Sequence, residues 1–323
     1  MQVKDFDNTA CTHRIYGYNG VTAAADVLIT DPWLETGTSY HQLYDWGHNK
    51  GSDLSLMGIG GFTASKDLHY ATENPTLFTT NVVAFLKKYA LDGLVIEWSA
   101  NNWNYEYMDA YVTLLKHLKE AFAANKFVLG TVVAANMPGY DIKSVAEQVD
   151  LVIVQAYDYH GSWNTEVGHA SALEDQKMTI TQWISSGAPA EKLIVTVPAY
   201  GHTWTLTDST KTDPGSPASG PGNKRPFTDT PGKIGYNEFA LLLKDDPTGW
   251  HRFDDGAVGA AYYVKGNQWV SIEDVKTVEA KGQWVKTAGL GGIAEMAVNN
   301  DDFNAIASPT KFPLLKAFAK GMQ

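Results

Sequence analysis

Short apolar, β-branched runs alternate along the chain with stretches whose apolar positions recur at helical spacing, the pattern of a parallel β/α protein. The runs Arg14–Tyr18, Leu54–Gly60, Gly93–Trp98, Phe127–Val133, Leu151–Ala156, Leu193–Pro198 and Gly292–Val298 predict seven strands. Helices are predicted between them, for example over Met108–Ala124 and Ser171–Ser186, and Gly187-Ala188-Pro189 stops the second. A closed β/α barrel has eight strands. The alternation breaks down between Trp204 and Ile272: a loop rich in glycine and proline (Pro214 to Gly222) precedes a helical pattern at Tyr236–Leu243 and strand-like runs at Ala260–Val264 and Gln268–Ser271.

One of these runs carries the chemistry. Leu91-Asp92-Gly93-Leu94-Val95-Ile96-Glu97-Trp98-Ser99 follows a helical stretch, Thr79 to Tyr89, and precedes another, Tyr105 to Ala124. Val95, Glu97 and Ser99 share one face at period two, and the strand ends in a hydroxyl. In the alternation of the last run, Glu295 points away from the barrel interior into the helix layer, where a lone carboxylate is costly unless a Lys or Arg pairs with it.

Composition narrows the ligand. With 323 residues, 44% of them hydrophobic, the chain can bury one large barrel or two modest domains. Its net charge of −11 and pI near 5.2 argue against nucleic acid and anionic membrane and favour a neutral or weakly cationic ligand. No apolar run approaches the roughly 20 residues of a membrane span, and the opening residues carry no apolar core of a secretory signal. Cys11 is the single cysteine, which alone points to a reducing compartment or a buried thiol. No metal or cofactor is expected. The nine histidines show no ligand spacing, Asp301-Asp302 reads as a loop, and Gly58-Ile59-Gly60-Gly61 closes a strand without a dinucleotide register.

The Asp92 strand resembles the family 18 glycoside hydrolases, the chitinases, whose signature reads Asp-Gly-x-Asp-x-Asp-Trp-Glu. Asp92, Gly93 and Trp98 match; Val95, Glu97 and Ser99 stand where the family has Asp, Asp and the catalytic Glu. Gly58-Ile59-Gly60-Gly61-Phe62, Gln155-Ala156-Tyr157-Asp158-Tyr159-His160-Gly161, Val197-Pro198-Ala199-Tyr200-Gly201-His202 and Gly289-Leu290-Gly291-Gly292 follow in family order. Within the family the chain is similar to the arthropod chitinase-like proteins with Trp-Ser in place of Trp-Glu, the mite group 18 allergens among them.

The resemblance implies an α/β fold, a TIM (β/α)8-type barrel over residues 1–203 and 272–323, lacking its first strand, with a small α+β insertion over 204–271. The cysteine partner of Cys11 would lie on that missing strand. The family's reaction is substrate-assisted, with an enzyme Glu protonating the departing oxygen; a serine cannot supply that proton, so no catalytic residue is expected. Glu97, about 6.5 Å deeper on the strand, should fall short of the bond and is read as a buried carboxylate held by neighbours such as Tyr157 or Asp158. The ligand-binding positions carried over are Tyr18, Phe62, Trp98, Tyr157, Asp158, Tyr200, His202 (for an Arg) and Met296 (for a Trp). The expected protein is a secreted, inactive monomer that binds chitin or chito-oligosaccharides weakly. Two alternatives stay open: hydrolysis by an unusual acid such as Glu97, and a signalling surface, recognised as an allergen, that has lost sugar binding.

Overall fold

The computed structural model describes residues 1–7, 9–136 and 140–323. The chain divides into two compact units, one of Gln2–Gln155 with Gln182–Ile194, the other of Ala156–Thr181 with Val195–Gln323.

The first unit is built on parallel strands β1 (His13–Val21), β3 (Leu54–Gly60), β4 (Gly93–Trp98), β5 (Val128–Ala134) and β6 (Leu151–Gln155), hydrogen-bonded in that order. A two-residue strand β2 (Val27–Leu28) folds back on the end of β1. Helices α1 (Pro32–Glu35), α2 (Gln42–His48), α3 (Gly61–Ala64), α4 (His69–Glu73), α5 (Pro75–Lys88), α6 (Met108–Asn125) and α7 (Ile142–Gln148) fill the connections. The predicted strands are all present, with ends moved by a residue or a few.

Local chemistry sets the long helices. The Asn74 side chain accepts the Leu77 N–H at 3.3 Å, and Pro75 follows with its ring fixed for the first turn, so α5 starts there. Its buried residues Phe78, Val82 and Leu86 recur every four positions. α6 buries Met108, Tyr111, Leu115, Leu118 and Phe122 along one stripe and ends where Lys126 turns left-handed at φ 59°. The strands β3, β4, β5 and β6 each give one apolar side chain to a buried cluster, Leu56, Val95, Val132 and Ile153, with Ile15 of β1 packed against it. Each such burial contributes on the order of 1.5–3 kcal/mol.

The second unit opens with α8 (Leu173–Ser185), which runs on into the first, and continues through β7 (Leu193–Pro198). Here the β/α alternation gives way to an antiparallel sheet. Strands β8 (Tyr200–Leu206), β9 (Ala218–Pro221), β10 (Lys233–Gly235), β11 (His251–Asp255), β12 (Ala260–Lys265) and β13 (Gln268–Ser271) pair in the order β10-β8-β13-β12-β11, with β9 on β8. Period-two alternation divides its large residues between two clusters: Trp204, Tyr262, Val264 and Trp269 in one, Tyr263, Val270 and Ile272 in the other with Phe239 of α9 (Tyr236–Asp245). α10 (Val275–Thr287), β14 (Gly292–Met296) and α11 (Pro313–Gly321) complete the unit. Among the described residues no helix is long and apolar enough to cross a membrane.

Candidate functional site

The expected site residues fall into two sets, one in each unit. In the first, β4 delivers its signature residues to different places. Asp92 sits at the start of the strand, not its end; it accepts the Ser55 N–H at 2.8 Å and pairs with Lys50 at 2.7 Å, tying β3 to β4. Val95 is fully buried in the Leu56, Val132 and Ile153 cluster, an environment built for a methyl group and hostile to a carboxylate. Ser99 is half-buried just beyond the strand, and its carbonyl accepts the Asn102 and Trp103 N–H groups. Among the described residues no side chain hydrogen-bonds the Ser99 hydroxyl.

Glu97 is 6% exposed. Its Oε1 accepts the Gln155 amide at 3.2 Å. Burial raises its pKa, opposed by hydrogen bonds from Tyr18 and Gln155. Its holders are thus Gln155 and Tyr18, whereas Asp158, expected beside it, is occupied elsewhere. The half-buried Tyr18 ring owes its seat to Gly58 and Gly61, where an added Cβ would lie 2.8 Å from the ring at each position.

Trp98 departs from its expected role. Alternation turns it away from the Val95 and Glu97 face, and it is 2% exposed, edge-on to Trp103 and Tyr111, stacked at 5.0 Å on Tyr107, its indole N–H on the Asn102 carbonyl. It is a packing residue with no free face for a sugar. Phe62, by contrast, is 73% exposed on α3, the turn that Gly60 and Gly61 make possible with positive φ.

The second unit holds the other set. Tyr200 donates to both oxygens of Asp158 at 2.9 Å, and His202 Nε2 meets Asp158 Oδ1 at 2.9 Å. Asp158 takes the left-handed φ of 59° after β6. Burial, followed by the charge of Asp158, pushes the Tyr200 hydroxyl far above its usual range, so it stays a donor. His202 has no accessible surface. Expected as a ligand contact, it lies buried against Asp158. Half-buried Tyr157 lies edge-on to Tyr200, and half-buried Met296 on β14 accepts the Ala199 N–H through its carbonyl.

Trp163 was absent from the expected positions. It is exposed, and its ring meets His202 edge-on at 5.0 Å. The signal was available two residues past the Tyr157–Gly161 motif, where an aromatic follows a Gly-Ser turn.

The acidic residues of the C-terminal segment also find their places. Asp302 accepts the Ile306, Ala307 and Ser308 N–H groups, and Asp301 those of Asp302, Leu314 and Leu315 at the start of α11, so both carboxylates organise backbone. Among the described residues no group of three His, Cys, Asp or Glu could hold a metal ion. Among the described residues Glu295 has no Lys or Arg partner: both its oxygens are buried and unbonded, and the charge acting on it is that of Asp301.

Chitinase-like mite allergen Der p 18.0101 of Dermatophagoides pteronyssinus is 32% identical over 98% of this chain and 70% of its own length. The Group IV chitinase of Ostrinia furnacalis superposes with a TM-score of 0.92 at 28% identity, covering 100% of this chain and 94% of the other. Human YKL-39, a pseudo-chitinase with retained chitooligosaccharide binding properties, superposes with a TM-score of 0.90 at 27% identity, covering 100% and 94%. The fold is the α/β, TIM-barrel type of these proteins, with its antiparallel insertion. With residues 2–301 matching Glycosyl hydrolases family 18, the chain belongs to that family.

Proposed function

We propose that this chain is a catalytically silent, extracellular chitinase-like protein that binds chitin or chito-oligosaccharides and does not cut them. The observation that carries this reading is at the end of β4. The resemblance puts Ser99 in the place of the proton donor, and among the described residues no side chain bonds its hydroxyl, while Glu97, the carboxylate on that strand face, is buried and held by Gln155. General acid–base help is worth roughly 10²–10⁴ in rate, so its loss silences turnover while leaving contacts to the sugar. Retained oligosaccharide binding by human YKL-39, a pseudo-chitinase of the same fold, supports the second half.

A fluorogenic chitobioside is expected to show no release above buffer, with Glu97→Gln and Ser99→Ala both unchanged. One observation favours a second reading, residual hydrolysis by Glu97: burial raises the pKa of that carboxylate, as a general acid requires. Turnover that Glu97→Gln abolishes and Ser99→Ala leaves intact would establish it. Restoring carboxylates by Ser99→Glu with Val95→Asp tests ancestry, but Val95→Asp puts a charge into the Leu56, Val132 and Ile153 cluster and should itself lower stability.

For binding, Phe62 and Trp163 are exposed aromatics, and Trp163 meets His202 edge-on. Phe62→Ala and Trp163→Ala should each weaken chitohexaose binding by about 3- to 10-fold, the worth of one aromatic face, in a calorimetric titration. Trp98→Ala should instead lower stability by about 3–5 kcal/mol, as for any large core truncation. Unchanged affinity in both surface variants, with no binding to chitin beads by a folded protein, would favour the interaction-surface alternative.

A further inference from the structure

We infer that Lys233 turns the sugar site of the second unit toward acidic glycans, chains of the N-acetylglucosamine type whose units carry a carboxylate or a sulfate. The lysine stands at the site already proposed to hold the sugar, so the inference rests on that reading and names its ligand class.

Strand register places the lysine. In the antiparallel pairing of β8 with β10, Lys233 lies opposite His202 and Gly235 opposite Tyr200. Residues directly opposite each other share a sheet face, and so do residues two apart on one strand. Tyr200, His202 and Lys233 therefore project from one face, to which Gly235 adds no side chain. Lys233 Nζ comes to 5.3 Å from the centre of the Tyr200 ring, within reach of a cation–π contact. Trp163 belongs to the same group. Its exposed ring meets that of His202 at 5.0 Å, and its turn touches the one that leads into β10, where a Cβ added to Gly232 would lie 2.2 Å from Ser162 Oγ.

Charge then decides what the lysine can recognise. Asp158, the carboxylate of this group, accepts from Tyr200 and His202. Among the described residues no ion pair or hydrogen bond engages the Lys233 ammonium, and the residue is exposed. A neutral sugar gains little from an ammonium that water already solvates, whereas a sulfate or carboxylate gains a charge-assisted hydrogen bond. The Trp163 face offers a pyranose a surface to stack on, and the ammonium beside it meets the acidic substituent. The chain's net charge of −11 opposes anions from a distance. At physiological salt charges are screened beyond about 8 Å, so the group next to the sugar has the larger effect.

The test titrates the whole chain by calorimetry, at physiological salt, with chitotetraose, with O-sulfated chitotetraose and with a hyaluronan tetrasaccharide, in which glucuronate alternates with N-acetylglucosamine. At least one acidic tetrasaccharide should bind about three- to fivefold tighter than chitotetraose, the worth of an exposed ion pair. Lys233→Gln, at an exposed position of the edge strand β10, should bring that ratio to about one, and Lys233→Arg should keep it. A gain for the sulfated chain alone assigns sulfate, and a gain for hyaluronan alone assigns carboxylate; both uphold the inference. Chitotetraose binding with no gain from either acid, or a gain that Lys233→Gln leaves intact, overturns it and leaves the sugar reading standing. No binding of any of the three overturns both.

Discussion

Asp53→Ala is expected to lower the free energy of unfolding by about 3–5 kcal/mol, the usual consequence of stranding one member of a buried ion pair. The Arg14 guanidinium meets Asp53 at 2.6 Å with both side chains essentially inaccessible, and it lies over the Trp46 ring at 4.5 Å. Burial pulls the arginine's pKa down, with Asp53 the largest opposing influence, so removing the aspartate leaves a cation that cannot shed its proton. Arg14 also closes a helix, since its Nη2 donates to the Trp46 and Asn49 carbonyls, which end α2 and have no helical partner. Replacing Arg14 therefore loses a helix cap as well as the pair. Arg14→Met with Asp53→Leu should recover part of the loss, because two neutral residues leave no buried charge. Urea unfolding of Asp53→Ala and of the double variant checks this; a stability of Asp53→Ala within about 1 kcal/mol of the parent would mean that water already reaches the pair.

The strands were legible because period-two alternation is a local property. Alternation also held the information that Trp98 faces the helices, opposite Val95 and Glu97, although the motif made it look like a binding residue. What was not legible depended on neighbours in space. Glu97 bonds Gln155 because β4, β5 and β6 lie side by side in a register that sets Glu97 beside Val132 and Val132 beside Ile153, two residues short of Gln155. His202 stands where the resemblance puts an arginine, and its partner Asp158 lies 44 positions away in the chain. The strands Ala218–Pro221, Lys233–Gly235 and His251–Asp255 escaped because they are short and carry few apolar residues, and their pairing comes from β8 and β12.

Glu295 shows the same limit, and it yields the second large effect. Alternation gave an expected direction for Glu295, but the charge that acts on it comes from the loop after β14 and has the same sign. Burial raises the pKa of Glu295 far above the ordinary carboxylate value, and Asp301 adds to the rise. Of the two acids, Asp301 has three N–H donors and Glu295 none, so Glu295 holds the proton. A group whose folded pKa is raised binds more protons in the native state than in the unfolded chain. Its contribution is therefore full below the unfolded value near 4.3 and is lost as pH rises toward the folded value. Glu295→Gln abolishes that loss. The variant should match the parent near pH 4 and exceed it increasingly toward neutrality, by roughly 1.4 kcal/mol for each pH unit between the unfolded and the folded value. Thermal unfolding from pH 4 to 8 measures the divergence. Parallel curves across that range would mean that Glu295 ionises freely in the folded protein, against a burial that leaves neither oxygen a donor.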